Sequence, residues 1–162
     1  MKKTLLALAL LGVSTAASAD ALIYGGASAG QSDINGNTDT SYNIHVGTGI
    51  LPFIGLEVGY QDHGKFTTNY DNASRDFSAK SYYAAAKPSI DFGPLHVYAK
   101  AGVHQYELKG TNYSEKELST LYGVGVEYFA MGPISLGASY MVYNLKHDDV
   151  KTLSLNASIH FL

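Results

Sequence analysis

The C-terminal stretch Thr152-Leu153-Ser154-Leu155-Asn156-Ala157-Ser158-Ile159-His160-Phe161-Leu162 decides the fold. Leu153, Leu155, Ala157, Ile159 and Phe161 occupy one side of a period-two repeat, and Ser154, Asn156, Ser158 and His160 the other. That is a strand with one apolar and one polar face. Such a strand needs neighbours along both edges, because unpaired backbone N–H and C=O groups are costly in apolar surroundings. If the apolar face looks into lipid, the arrangement that leaves no edge is a closed barrel. The remainder of the chain must then supply seven more strands of the same texture.

Working back from the end, 134–143, 118–128, 95–106, 77–90, 54–61, 42–50 and 23–32 repeat the pattern. In 42–50, for instance, Tyr42, Ile44, Val46, Thr48 and Ile50 oppose Asn43, His45, Gly47 and Gly49. The first strand is the thinnest, with Ile23, Ala27 and Ala29 set against Tyr24, Gly26, Ser28 and Gly30. Pro88 lacks a ladder donor and is expected near the end of its strand. Short turns at 51–53, 91–94 and 130–133 alternate with longer polar stretches at 33–40, 62–76, 107–117 and 144–151, which are expected to be loops. Strands of about nine to eleven residues and alternating short and long connections fit an all-β, eight-stranded, antiparallel up-and-down transmembrane barrel. An even strand number puts both chain ends on the short-turn, periplasmic side. A two-sheet sandwich is disfavoured, because the faces opposite the apolar ones carry Gly, Ser, Asn and charge rather than a second core.

Residues 1–19 are expected to be a signal peptide: Lys2 and Lys3, the apolar run 5–13, then Ala17-Ser18-Ala19. The run is too short to cross ~30 Å of hydrocarbon. The barrel would then occupy 20–162. Loss of the two leader lysines from the 11 basic residues leaves an acidic chain facing 14 carboxylates, with no basic stripe for nucleic acid. There is no cysteine, and thirteen tyrosines with seventeen glycines suit a sheet with aromatic girdles. Tyr42, Tyr60, Tyr82, Tyr122, Tyr128 and Tyr140 share the outward face.

Glu57, Lys87, Lys100 and Glu127 all fall inward by parity. An eight-stranded barrel is filled by side chains, so these four are expected to neutralise one another in a polar plug. His45, His96, His104 and His160 are also inward, but their spacing forms no ligand set, and neither metal nor cofactor is expected.

Pro52-Phe53-Ile54-Gly55-Leu56-Glu57-Val58-Gly59-Tyr60, Val97-Tyr98-Ala99-Lys100-Ala101-Gly102, Gly125-Val126-Glu127-Tyr128 and 153–161 together resemble the OmpA-like transmembrane barrel family. In size the chain is similar to the small stand-alone OmpX/Ail and accessory-colonisation barrels of the "porin family". The resemblance implies a charged cluster that interrupts the water path, with Glu57, Lys87 and Glu127 at matching positions and Lys100 as an inward base. Gly137 stands where the family carries a basic residue on the seventh strand. Barrels that deacylate lipid A carry a His-x-Ser pair, and none of the six histidines is followed two residues later by serine.

The expected setting is the bacterial outer membrane, with its lipid and lipopolysaccharide as neighbours. The terminal Phe161-Leu162 strand is expected to engage the barrel-assembly machinery. The expected role is non-enzymatic: a structural or surface-interaction barrel of adhesion or colonisation type, meeting a host-surface or phage ligand. Stretches 62–76 and 107–117 would make the contact, with Lys65, Tyr70, Arg75 and Tyr113 as candidate residues. The alternatives are a narrow gated solute or ion pathway and a lipid A-modifying enzyme.

Overall fold

The computed structural model describes residues 23–70, 73–110, 113–146 and 148–161; the expected signal peptide, His147 and Leu162 lie outside them. Alternating side chains produce eight strands: β1 (Ile23–Ile34), β2 (Asn37–Leu51), β3 (Ile54–Tyr70), β4 (Ala73–Phe92), β5 (Leu95–Gly110), β6 (Tyr113–Met131), β7 (Ile134–Asn144) and β8 (Asp149–Phe161). Each pairs antiparallel with the next, and β1 pairs with β8, Ala27 lying opposite Ala157, so the sheet closes on itself. Closure satisfies both edges of the C-terminal strand, as an apolar solvent demands.

The outer wall is greasy. Ile44, Val46, Leu56, Val58, Val124, Leu136, Leu153 and Leu155 are all exposed. Phe53, Phe92, Tyr128 and Phe161 form an aromatic ring near the short turns, while Tyr42, Tyr82, Tyr122 and Tyr140 form a second ring farther out. The ten-residue step from Tyr82 to Phe92 along a tilted strand rises roughly 25 Å, the height of an outer-membrane apolar band. Val142 departs from the alternation: its parity is outward, yet it is buried.

The short turns fall at 52–53, 93–94 and 132–133, close to where the sequence put them. The expected long loops are a different matter. Residues 33–40 are the tip of a hairpin whose turn is only Asn35-Gly36, with φ of 52° and 83°. Asn-Gly is suited to that turn because both residues tolerate the left-handed region, which matches the twist of the flanking strands. Most of 62–76 and 107–117 is strand, since β3 runs to Tyr70, β4 starts at Ala73, β5 runs to Gly110 and β6 starts at Tyr113. Polar composition marked these stretches as exposed, but in water a ladder still satisfies the backbone. Exposure does not entail irregularity.

Pro88 sits near the end of its strand, as expected, four residues before Phe92. It lies inside β4, opposite Ile54 on the β3 side. On the β5 side the ladder lapses between the pairs Ala86–Ala101 and Ser89–Tyr98. The N–H of Ser89 donates to the carbonyl of Phe53 on β3 at 3.0 Å. The N–H missing at Pro88 is therefore the one that would have faced β5.

Candidate functional sites inside and above the barrel

The inward face of each strand sends its polar side chains into a closed lumen. Glu57 on β3 (1 % exposed) and Lys100 on β5 (8 %) meet at 2.6 Å. Lys87 on β4 and Glu127 on β6 meet at 3.4 Å. Each pair reaches past an intervening strand. Small residues make this possible: Glu57 lies opposite Ala85, which lies opposite Gly102, leaving room for Lys100 to cross. Lys87 and Lys100 occupy facing register positions, bracketed by Ala86–Ala101 and Ser89–Tyr98. Like charges face to face are unfavourable, and the two ammonium groups part toward different carboxylates.

Tyrosines complete this layer. Tyr24 and Tyr83 donate to the two oxygens of Glu57 at 3.0 and 2.7 Å. The Lys87 ammonium lies 4.5 and 4.4 Å from the ring centroids of Tyr24 and Tyr98, a cation–π arrangement. Ser135 donates to Glu127 at 3.3 Å, and His160 stands 3.7 Å from the same carboxylate. Charge-assisted hydrogen bonds of this kind offset the desolvation of buried ions.

These inward tyrosines were not singled out in the sequence, although a signal for them exists. Tyr24 lies opposite Gly47, Tyr83 opposite Gly59 and Tyr98 opposite Gly125. A Cβ on any of the three glycines would come within 2.2–2.6 Å of the facing ring. Each ring folds over the glycine across from it, the aromatic rescue of a strand glycine. An inward Tyr paired with an inward Gly is thus legible once the register is known.

His45, His96, His104 and His160 all turn inward and are buried. His63, which the sequence placed in a loop, is buried on extended β3, and its Nε2 lies 2.9 Å from the Ser81 hydroxyl. His104 approaches the same hydroxyl at 3.1 Å. Above this layer the lumen turns apolar: Leu121, Met141, Val150, Tyr83 and Tyr143 cluster, with Ile34 and Leu145 packed against them. Val150 belongs to β8 rather than to the loop expected at 144–151. Between the lid and the charge layer lies a void of about 10 Å³ lined by Asn43, His45, Gln61, Lys100 and Asn156, room for about one water.

The outward end is lopsided. β2 pairs with β3 only from Tyr42–Asp62, and β6 pairs with β7 only from Leu121–Tyr143. Beyond those points β3, β4, β5 and β6 continue together, with pairs as far as Tyr70–Ala73 and Gly110–Tyr113. The result is a four-stranded sheet standing above one side of the barrel. Its β3 edge is partly tied down, for the N–H of Lys65 donates to Asp39. That bond, with the N–H of Thr40, holds the Asp39 carboxyl below its ordinary range. At the β6 edge Leu118 is 66 % exposed. Lys109 and Lys116 reach Glu107 at 2.9 and 3.5 Å, and Lys146 reaches Glu117 at 4.0 Å. The Lys65 side chain is exposed. The side chains of Tyr70, Arg75 and Tyr113 lie outside the described set, although their backbones belong to the projecting strands.

Three solved barrels show the same architecture. Ail, the attachment invasion locus protein of Yersinia pestis, in complex with the heparin analogue sucrose octasulfate, is 17 % identical with a TM-score of 0.60, covering 89 % of this chain and 99 % of that one. Neisserial surface protein A is 19 % identical with a TM-score of 0.59, over 86 % and 96 %. The N-terminal β-barrel domain of Pseudomonas aeruginosa OprF is 14 % identical with a TM-score of 0.55, over 88 % and 99 %. At these identities the likeness is one of fold. Among curated proteins none matches by sequence. The family described as "Outer membrane protein beta-barrel domain" matches residues 4–161, and with its closed ring, greasy wall and polar lumen the chain belongs to that family and resides in the bacterial outer membrane.

Proposed function

We propose that the protein is a non-catalytic surface-interaction barrel of adhesion type, and that the projecting ends of β3–β6 meet its partner. The carrying observation is the four-stranded sheet above the membrane, whose β3 and β6 edges have no ladder partner among the described residues beyond Asp62 and Leu121, the β3 edge being tied only at Lys65 to Asp39. Unpaired edges present rows of N–H and C=O groups that can accept an extended segment of another protein. Exposed Leu118 on the β6 edge adds an apolar contact. A lumen filled by paired charges and an apolar lid also favours work on the outer surface over passage through the barrel.

Ail has been crystallised with a heparin analogue. In this chain Lys109, Lys116 and Lys146 each lie beside a glutamate, which favours a protein partner over a polyanion. Lys65 and the backbone around Tyr70, Arg75 and Tyr113 stand in the same projecting sheet.

Lys65 lies opposite Ser78 and Leu108 opposite Glu115. Residues 66–77 and 109–114 can therefore each be replaced by an Asn-Gly turn without disturbing the register below. Attachment of cells carrying this trimmed barrel to host-cell and matrix surfaces should fall several-fold, and to that of cells lacking the protein when Leu118→Glu is added to it, while circular dichroism shows the barrel still folded. Leu118→Glu should weaken attachment in the full-length form. Undiminished attachment by the trimmed barrel would rule the reading out.

A further inference from the structure

We propose that the outer wall between β4 and β5 holds a seat for one acyl chain of a phospholipid from the periplasmic leaflet. On that wall lies a groove of about 590 Å³ lined by Phe53, Ile90, Phe92, Val97, Ala99 and Val124, with Pro88 on its floor. All of these project from the lipid side, and Phe53 and Phe92 belong to the aromatic ring at the short-turn end. In barrels of this type the short turns face the periplasm, so the groove lies at the depth of the phospholipid leaflet.

The groove has a cause in the sequence. Pro88 removes the donor that would have joined β4 to β5 at this level, and the ladder lapses between Ala86–Ala101 and Ser89–Tyr98. Ala99, across from Pro88, covers the seam with a single methyl group, while the neighbours Ile90, Val97 and Val124 stand proud of it. Directly behind the seam, on the lumen side, lie Lys87 and Lys100 with their buried carboxylate partners. A hydrocarbon chain in the groove would cover a lapse in the β4–β5 ladder where charges stand behind it. It would thereby keep water from backbone groups and ion pairs that depend on a dry wall. The occupant follows from the setting: the wall is the lipid-facing surface of an outer-membrane barrel, and the lining is almost entirely apolar, Ser89 and Tyr98 turning their side chains to the lumen.

Native mass spectrometry of the intact barrel, extracted in mild detergent with dipalmitoylphosphatidylethanolamine added, tests this. The wild type should retain one phospholipid. Ala99→Phe fills the groove and should lower the lipid-bound fraction about five-fold or more, while Leu155→Phe on the opposite wall should leave it unchanged. Val124→Phe fills the groove from β6 and serves if Ala99→Phe fails to fold, as judged by gel mobility. Equal retention by the wild type and the groove-filled variants would overturn the proposal. So would equal loss in Leu155→Phe, which would mean a non-selective lipid shell, or retention of detergent alkyl chains with no phospholipid.

Discussion

Lys100→Met removes the cation that reaches Glu57 at 2.6 Å and leaves a carboxylate at 1 % exposure inside the lumen. Breaking a buried ion pair from one side costs about 3–5 kcal/mol, because the surviving charge stays desolvated. Here Tyr24 and Tyr83 still donate to that carboxylate at 3.0 and 2.7 Å. Hydrogen bonds to a charged acceptor are worth about 1.5–3 kcal/mol, so the cost should fall at the lower end, about 3 kcal/mol. Glu57→Gln in the Lys100→Met background removes the orphan charge; its amide oxygen still accepts from one tyrosine, and its NH2 can donate to the hydroxyl oxygen of the other. The double variant should recover about 2 kcal/mol, a coupling expected only of groups in direct contact. Urea titration in phospholipid vesicles, followed by circular dichroism and gel mobility, gives both quantities. A single-variant loss below about 1 kcal/mol, or additive losses in the double variant, would refute the idea that Lys100 neutralises Glu57.

Gly125→Ala should destabilise the barrel by about 1–3 kcal/mol, because the added Cβ meets the Tyr98 ring at 2.3 Å and that ring lies beneath Lys87. In a Tyr98→Ala background the same substitution should cost far less, measured in the same titration. Gly36→Ala places a side chain at φ 83° in the β1–β2 turn and should cost about 1 kcal/mol, read as faster amide exchange in the hairpin. Asp39 has its folded-state pKa lowered by the backbone N–H groups of Lys65 and Thr40. Its contribution is therefore present above the unfolded value near 3.8 and lost as pH falls through the lower folded value. The protection factor of the Lys65 amide, its rate relative to an unstructured peptide at the same pH, should then hold at neutral pH and fall in that acid window. Asp39→Ala should abolish the protection at every pH.

The transmembrane part was legible because one physical demand acts on it residue by residue. Between lipid and a filled lumen, every second side chain must be apolar, so Tyr42–Ile50 or Leu153–Phe161 announces its faces without reference to any neighbour. The outward tyrosines and the inward Glu57, Lys87, Lys100 and Glu127 followed from the same parity. Outside the bilayer that demand lapses. Water satisfies loops and strands alike, so the polar stretches 62–76 and 107–117 gave no sign that they continue the ladder. Val150 and Leu121 were missed as a lid for a related reason: an apolar inward residue near a strand end looks like noise until the ring brings several together.

Sequence alone determined the closed eight-stranded barrel, its inside and its outside, because alternation is local and an apolar solvent permits no open edge. Tertiary structure decided what crosses the lumen: that Glu57 takes Lys100, that Lys87 takes Glu127, and that tyrosines fold over the glycines opposite them. It also decided that four strands outgrow the other four to form a sheet above the membrane. Those features depend on register and on distances between strands remote in sequence, and a period-two pattern carries no information about either.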